Sequence, residues 1–590
     1  AICATEIKYG ERKTPLANGR RLSCHTLLLD DVVIDVPAES QVHRQIVRKD
    51  AEYRDISLDP ATRLYYVQVA EADMHVPKGD LQRLTDALAE EWGLDNLSCD
   101  SGLLKILQPV LAEGKRSITV AVHKQEKIVA LWPGLNDRAY GVAVDVGSTT
   151  IAAHLCDLST GSVLASASLM NPQIRFGEDL MSRVSYVMMN KGGDVELTTV
   201  IRAALNDLVL ELASKAATTV DKILEIVMVG NPIMHHILLG IDPTPLGAAP
   251  FVLATDEAVS GAATQIGIQL PNARYYVGPC IAGHVGADTA AAILSEGPHR
   301  GTSMQLLIDV GTNAEIVVGN KDRLLAASSP TGPAFEGAQI SSGQRAAPGA
   351  IERIRIDKDT LEPKFRVIGV DLWSDEDGFD AAVEKTGVTG ICGSGIIEVL
   401  GEMYLAGIIT MDGVIDGSKA AQNSRIEADD RTFSYRITDT VSVTQNDVRA
   451  IQLAKAALYA GFRLLMDKIN IRKVDRVVLA GAFGTHIDPK YAMVLGMIPD
   501  CLLANVRAAG NSAGAGARMA LLNQAARRDI EAVVRQIEKI ETAVEASFQD
   551  HFVKAMAIPH KSDPYANLAA AVDLPVRILT DEDAPALAGG

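Results

Sequence analysis

Two hydrophobic strands in this chain break in the same way. "YGVAVDVGSTTIAAHL" (residues 140–155) runs apolar to Asp145-Val146-Gly147-Ser148-Thr149-Thr150 and then resumes as a strand. "QLLIDVGTNAEIVVG" (residues 305–319) repeats the design 164 residues later, with Asp309-Val310-Gly311-Thr312-Asn313 at the break. Two further echoes follow in the same order. "IVMVGNPIMHHI" (226–237) is answered by "VVLAGAFGTHI" (477–487), which aligns Gly230 with Gly481 and His235 with His486. "AGHVGADTAAAIL" (282–294) is answered by "AGNSAGAGARMALL" (509–522). Three echoes in one order mean that the chain contains the same α/β unit twice. Two such lobes face each other across a cleft, the usual place for a ligand.

The breaks carry the chemistry. A turn rich in Gly, Ser and Thr lets backbone N–H groups converge on an anion while the hydroxyls add hydrogen bonds. A carboxylate beside a phosphate is repulsive unless a hydrated Mg²⁺ stands between them or the acid orients a water. Asp145 and Asp309 are therefore the expected catalytic pair, binding Mg²⁺ through water. Gly147, Ser148, Thr149 and Thr150 on one side and Gly311, Thr312, Asn313 and Glu315 on the other are the expected phosphate clamp. Either turn alone reads equally as a tight hairpin; the duplication favours the clamp. Gly481 and Gly484, after the strand "VDRVVLA", would admit a flat adenosine against the backbone.

Length divides the chain further. At 590 residues it exceeds a single core. Residues 1–40 read as a remnant and linker, and 41–136 as a small α+β domain. The two lobes occupy 137–304 and 305–565, with a tail at 566–590. Apolar residues at 47% and charged residues at 22% are ordinary for a globular protein. A net charge of −18 argues against nucleic acid and anionic membranes as partners. No apolar run approaches the ~18 residues of a spanning helix, and no secretory leader pattern is evident. Seven cysteines in so long a chain suit a reducing, cytoplasmic location better than a disulfide scaffold.

Residues 145–150 resemble the first phosphate motif of the acetate and sugar kinase, heat-shock chaperone and actin superfamily. Residues 309–315 resemble its second phosphate motif, and 478–484 its adenosine motif. That resemblance implies two ribonuclease-H-like, actin-like lobes, ATP with Mg²⁺ in the cleft, and lobe closure coupled to hydrolysis. "GNPIMHHILLGIDPTPLGAAPF", "GPAFEGAQISSGQRAAPGAI", "TGICGSGIIEVL" and "TQNDVRAIQLAKAALYAGF" are together similar to the ATP-dependent reductive activators of corrinoid proteins, over roughly residues 20–560. The family implies an N-terminal plant-type [2Fe–2S] domain, a small middle domain and an ATPase. Its partners are a corrinoid protein of a methyltransferase system, returned from Co(II) to Co(I), and a low-potential electron donor; a homodimer is left open.

The chain departs from the family at its start. Cys24 in "RRLSCHT" matches the last cluster ligand, and Cys3 in "AICATEI" looks like the third. Plant-type spacing is C-x4-C-x2-C and a distant fourth cysteine, so the first two would lie upstream of Ala1. The expectation is a truncated form, or a protein that has lost the cluster, with [2Fe–2S] absent from this chain. Cys392 before Gly393-Ser394-Gly395 reads equally as a packing turn and as a nucleotide contact at a helix start. His235 and His236 read as a packed pair, and Thr444 with Asp447 as a capping box. The rival readings are a small-molecule kinase, a chaperone-like ATPase and a non-redox ATP-binding scaffold of the same superfamily.

Overall fold

The computed structural model describes residues 56–575 except 178 and 485, together with the short paired strands Lys8–Tyr9 and Thr26–Leu27. Cys3 and Cys24 lie outside the described residues.

The two lobes are built on two six-stranded sheets of matching order. In the first, strands Tyr140–Val146, Thr150–Asp157 and Val163–Met170 form an antiparallel meander. Ile223–Gly230 and then Arg274–Val277 add in parallel on the other side of Tyr140–Val146. In the second, Gln305–Val310, Ala314–Gly319 and Leu324–Ser329 make the meander. Arg476–Ala480 and Val506–Ala508 add in parallel. Each sheet has one extra edge strand, Val259–Ala262 in the first and Glu538–Lys539 in the second. This is the duplicated, actin-like two-lobed fold expected from the echoes.

The register confirms the internal alignment residue by residue. Asp145 pairs with Val229 and Asp309 with Ala480, so Gly230 and Gly481 each follow the partner of the echoed acid in their own sheet. The first strand is buried along its whole length because both of its faces are covered. Val142, Val144 and Val146 pack with the long helix Gly193–Lys215, while Ala143 faces helices Ala287–Glu296 and Ser512–Leu522. Those two helices follow the last parallel strand of their respective lobes, and they cross each other between the lobes. The crossing is close because Gly516 has no side chain; a Cβ there would overlap the carbonyl of Ala291.

Residues 62–133 form a four-stranded sheet with helices Asp80–Trp92 and Ser101–Glu113 on one face, over a separate apolar core. This foredomain sits on the first lobe through a buried polar joint. Glu225, wholly buried on strand Ile223–Gly230, accepts hydrogen bonds from Thr62 and from Arg527 Nη2 at 3.0 Å, and its other close contact is His123 Nδ1 at 2.8 Å. Arg527 lies on helix Gln524–Gln536 and also stacks over the Tyr276 ring. Burial alone would raise the Glu225 carboxyl, but the Arg527 charge and the His123 and Thr62 hydrogen bonds outweigh it and hold the group down to about 2.

Among the described residues no helix is long and apolar enough to cross a membrane. The Thr444 capping box is present: Asp447 N donates to the Thr444 hydroxyl at 3.3 Å, and Thr444 N donates to the Asp447 carboxylate at 2.8 Å.

Candidate functional site

A cavity of about 270 Å³ lies between the lobes, where both meanders turn and the parallel strands end, the usual ligand position in an open α/β sheet. Asp145, Gly147, Ser148, Thr149 and Thr150 line it from the first lobe, and Asp309, Gly311, Thr312, Asn313, Glu315 and Gly481 from the second. Ten residues thus come from two turns far apart in sequence. Gly484 lies off this wall; its backbone packs on Leu479, whose carbonyl carbon would stand 3.1 Å from a Cβ there.

The first turn is held from below. Asn171 N donates to Thr149 O at 2.8 Å and Asn171 Nδ2 to Gly147 O at 2.9 Å. Arg183, fully buried, donates to Ser148 O. With their carbonyls bound behind them, the turn residues keep their N–H groups and hydroxyls for the cavity. The second turn is held by Thr331, whose hydroxyl lies 3.0 Å from Gly311 O and 3.1 Å from Thr312 O. The Thr312 hydroxyl donates to Glu336 at 2.9 Å. Gly481 adopts φ +87°, and any Cβ there would overlap Asp309 Oδ1, so only glycine leaves that carboxylate in place.

The cavity is acidic. Asp288, from the first turn of helix Ala287–Glu296, joins Asp145, Asp309 and Glu315 at its wall. Desolvation raises the Asp288 carboxyl, and although the Thr289 N–H opposes this, the charges of Asp309 and Asp145 raise it further, to about 7. Glu315 is likewise held well above the usual carboxylate range by desolvation and by Asp288 and Asp309. Carboxyls crowded in this way favour a cation or a shared proton. Among the described residues no three His, Cys, Asp or Glu groups stand close enough to hold a metal ion directly. Mg²⁺ needs fewer protein oxygens than that, since it keeps waters and takes phosphate oxygens. The donor set fits a hydrated Mg²⁺ shared with phosphates. It does not fit an iron–sulfur cluster: among the described residues Cys99, Cys156, Cys280, Cys392 and Cys501 are dispersed and form no ligand group.

Sequence reasoning missed Asp288, although its segment was one of the three echoes. The partner segment has only small residues at the matching turn, so comparing the halves hid the acid. It also missed Arg345, which lines the cavity from the second lobe. Cys392, Gly393 and Ser394 do reach the wall, with Cys392 Sγ 3.3 Å from Ser394 Oγ. The two echoed histidines part company. His486 lines the cavity, whereas His235 is buried against His236, their Nδ1 atoms 3.2 Å apart, and burial pushes His235 down to about 3.

Comparison with known proteins covers almost the whole described chain. Residues 51–138 match the RACo linker region, 140–301 the RACo middle region, and 303–569 the C-terminal domain of RACo, the ASKHA domain. The corrinoid activation enzyme RamQ of Eubacterium limosum is 30% identical over 93% of this chain and 91% of its own length. The [Co(II) methylated amine-specific corrinoid protein] reductase of Methanosarcina barkeri is 25% identical over 68% of this chain and 73% of its own. A solved structure of a reductive activator for a corrinoid, iron–sulfur protein superposes with a TM-score of 0.76 at 30% identity, over 95% of this chain and 91% of that one.

Proposed function

The chain belongs to the RACo family of corrinoid protein activators, and from that premise we propose that it uses ATP to return a partner corrinoid protein from Co(II) to Co(I). The observation that carries the reading is the pair of Asp–Gly–hydroxyl turns facing each other across one acidic cavity, in a chain alike along its length to RamQ.

In this reading the N–H groups of residues 147–150 and the hydroxyls of Ser148, Thr149 and Thr150 take the phosphates from one side, the N–H groups of Thr312 and Asn313 from the other, and Gly481 leaves room beside Asp309. Asp145 and Asp309 would hold a hydrated Mg²⁺ through its waters, and the ion, when bound, would supply charge neutralisation at the phosphates. A water oxygen bonds to the γ-phosphorus while the bond to the β,γ-bridging oxygen breaks, giving ADP and phosphate. Asp288, on the cavity wall with Asp145 and Asp309, is the residue that takes the proton that water gives up. Residues 41–136, 137–304 and 305–565 act as foredomain and two lobes.

ATP is needed because cobalt(I) is a strong reductant. For one electron, each tenfold in equilibrium is about 59 mV, or about 1.4 kcal/mol. Binding energy of a few kcal/mol, spent between two states of the partner complex, shifts an apparent potential by about one or two hundred millivolts. The electron comes from an external low-potential donor, which is oxidised by one electron per Co(II) reduced.

The test follows the absorbance of a cognate Co(II) corrinoid protein under a low-potential reductant. Co(I) is expected with ATP and not with ADP, nor with the Asp309→Ala variant and ATP. Equal Co(I) in all three would detach the ATPase from the redox step.

A further inference from the structure

We propose that Arg345 is the residue that senses the γ-phosphate across the cleft. The inference rests on the ATPase reading above and adds a residue to it. Arg345 belongs to the second lobe, in the loop before strand Ala350–Ile356, yet its Nη1 points to Met170 Sδ of the first lobe at 3.6 Å. Met170 immediately precedes Asn171, the residue that fastens the first phosphate turn. The guanidinium therefore spans the gap between lobes beside that turn.

Its present partner is a poor one. A thioether sulfur is a weak acceptor, and a guanidinium carries five N–H donors in a planar fork suited to phosphate. No carboxylate is paired with it among the described residues, although Asp145, Asp179, Asp288, Asp309, Glu315 and Glu336 all line the same cavity. Among the described lining residues Arg345 is the one Lys or Arg. A triphosphate brought into an acidic cavity needs a fixed positive charge on the side away from the Mg²⁺. Arg345 supplies that charge from the opposite lobe, so its bond forms with ATP and lapses when the γ-phosphate leaves. In hydrolysis Arg345 exchanges no proton and neutralises charge on the γ-oxygens.

The test uses the full chain with Arg345→Met, Arg345→Lys and Met170→Leu. Binding of Mg²⁺ with β,γ-imido-ATP and with ADP is measured by calorimetry, and ATP turnover separately. For Arg345→Met the expected results are about tenfold weaker imido-ATP binding, ADP binding within about twofold, and kcat lower by about 100-fold. Arg345→Lys, which keeps charge but loses the fork, is expected to regain most of the binding and little of kcat. Met170→Leu is expected to behave as the parent. Equal losses for ADP and imido-ATP, or no loss for either, would overturn the assignment. So would a Met170→Leu variant that copies Arg345→Met, since the arginine would then merely pin the lobes. A parent that binds neither nucleotide would instead sink the ATPase reading, and that is seen before any variant is made.

Discussion

The first and second lobes share strand order, register and turn, yet they place their acids and cover their sheets differently. Asp145 is opposite Ala152 in its hairpin, whereas Asp309 is opposite Glu315. The first lobe supplies its second carboxylate from a helix instead, as Asp288. Beside Asp179 and Glu336, which also line the cavity, each lobe thus places a second acid near its strand-end aspartate by a different route. On the parallel strand, Glu225 of the first lobe is buried under the foredomain, while Arg476, its counterpart by the Gly230–Gly481 alignment, is exposed. Duplication preserved the frame, and the side chains diverged wherever the lobes meet different neighbours.

The strongest way to break the symmetry is at the paired acids. Asp145→Ala and Asp309→Ala are each expected to lower ATP hydrolysis by about 10³-fold, roughly 4 kcal/mol, with an unchanged circular dichroism spectrum. A large loss in one and none in the other would mean that a single lobe does the chemistry.

Next in size is the joint that only the first lobe has. Glu225→Gln leaves Arg527 buried without its counter-charge and is expected to cost about 3 kcal/mol at neutral pH, read by urea denaturation. Because the folded carboxyl is depressed to about 2, its contribution is full above the unfolded value near 4.5 and is lost as pH falls toward 2. The gap between parent and variant should close over that window. Arg476→Gln in the second lobe should change stability by less than about 0.5 kcal/mol.

The glycines that follow the two parallel strands sharpen the comparison further. Gly481→Ala forces a Cβ into Asp309 at φ +87°, at a cost of about 2 kcal/mol, and should lower turnover by displacing that acid. Gly230 has no such backbone constraint, and its Cβ would meet Val146 O at 2.7 Å. Gly230→Ala should therefore destabilise while leaving nucleotide affinity nearer the parent, measured by calorimetry.

The last contrast concerns Asp288. A carboxyl raised to about 7 in the folded protein loses stability as pH climbs from about 4 to 7. Without nucleotide or Mg²⁺, Asp288→Asn should be more stable than the parent above pH 7, by up to about 4 kcal/mol for a carboxyl raised from its ordinary value to about 7. The two should be equal below pH 4. A difference that persists at pH 4 would mean that repulsion is not its cause.

Much of this was legible because local pattern and global frame coincide. The Asp-x-Gly breaks, the strand alternation and the capping box at Thr444 are all written in contiguous residues. The acid at 288 and the arginine at 345 were not, since neither has a matching residue in the other half to mark it. The Glu225–Arg527 joint spans 302 residues of sequence, and no periodicity signals a pair at that range. Gly484 was assigned to the cavity by motif, but the turn carries its backbone inward against Leu479.

The crossing of helices Ala287–Glu296 and Ser512–Leu522 bears on how finely the acids can be set. Gly516 meets Ala291, and Asp288 is three residues from that contact, about 4.5 Å along the helix axis. This makes a short lever with its fulcrum at the backbone itself, where no flexible side chain absorbs the strain. A rotation of about 10° at the crossing carries Asp288 by only about 0.8 Å. A displacement of that size is enough to make or lose a hydrogen bond to water, so a small change of angle between the lobes is geared down to atomic precision at the carboxyl.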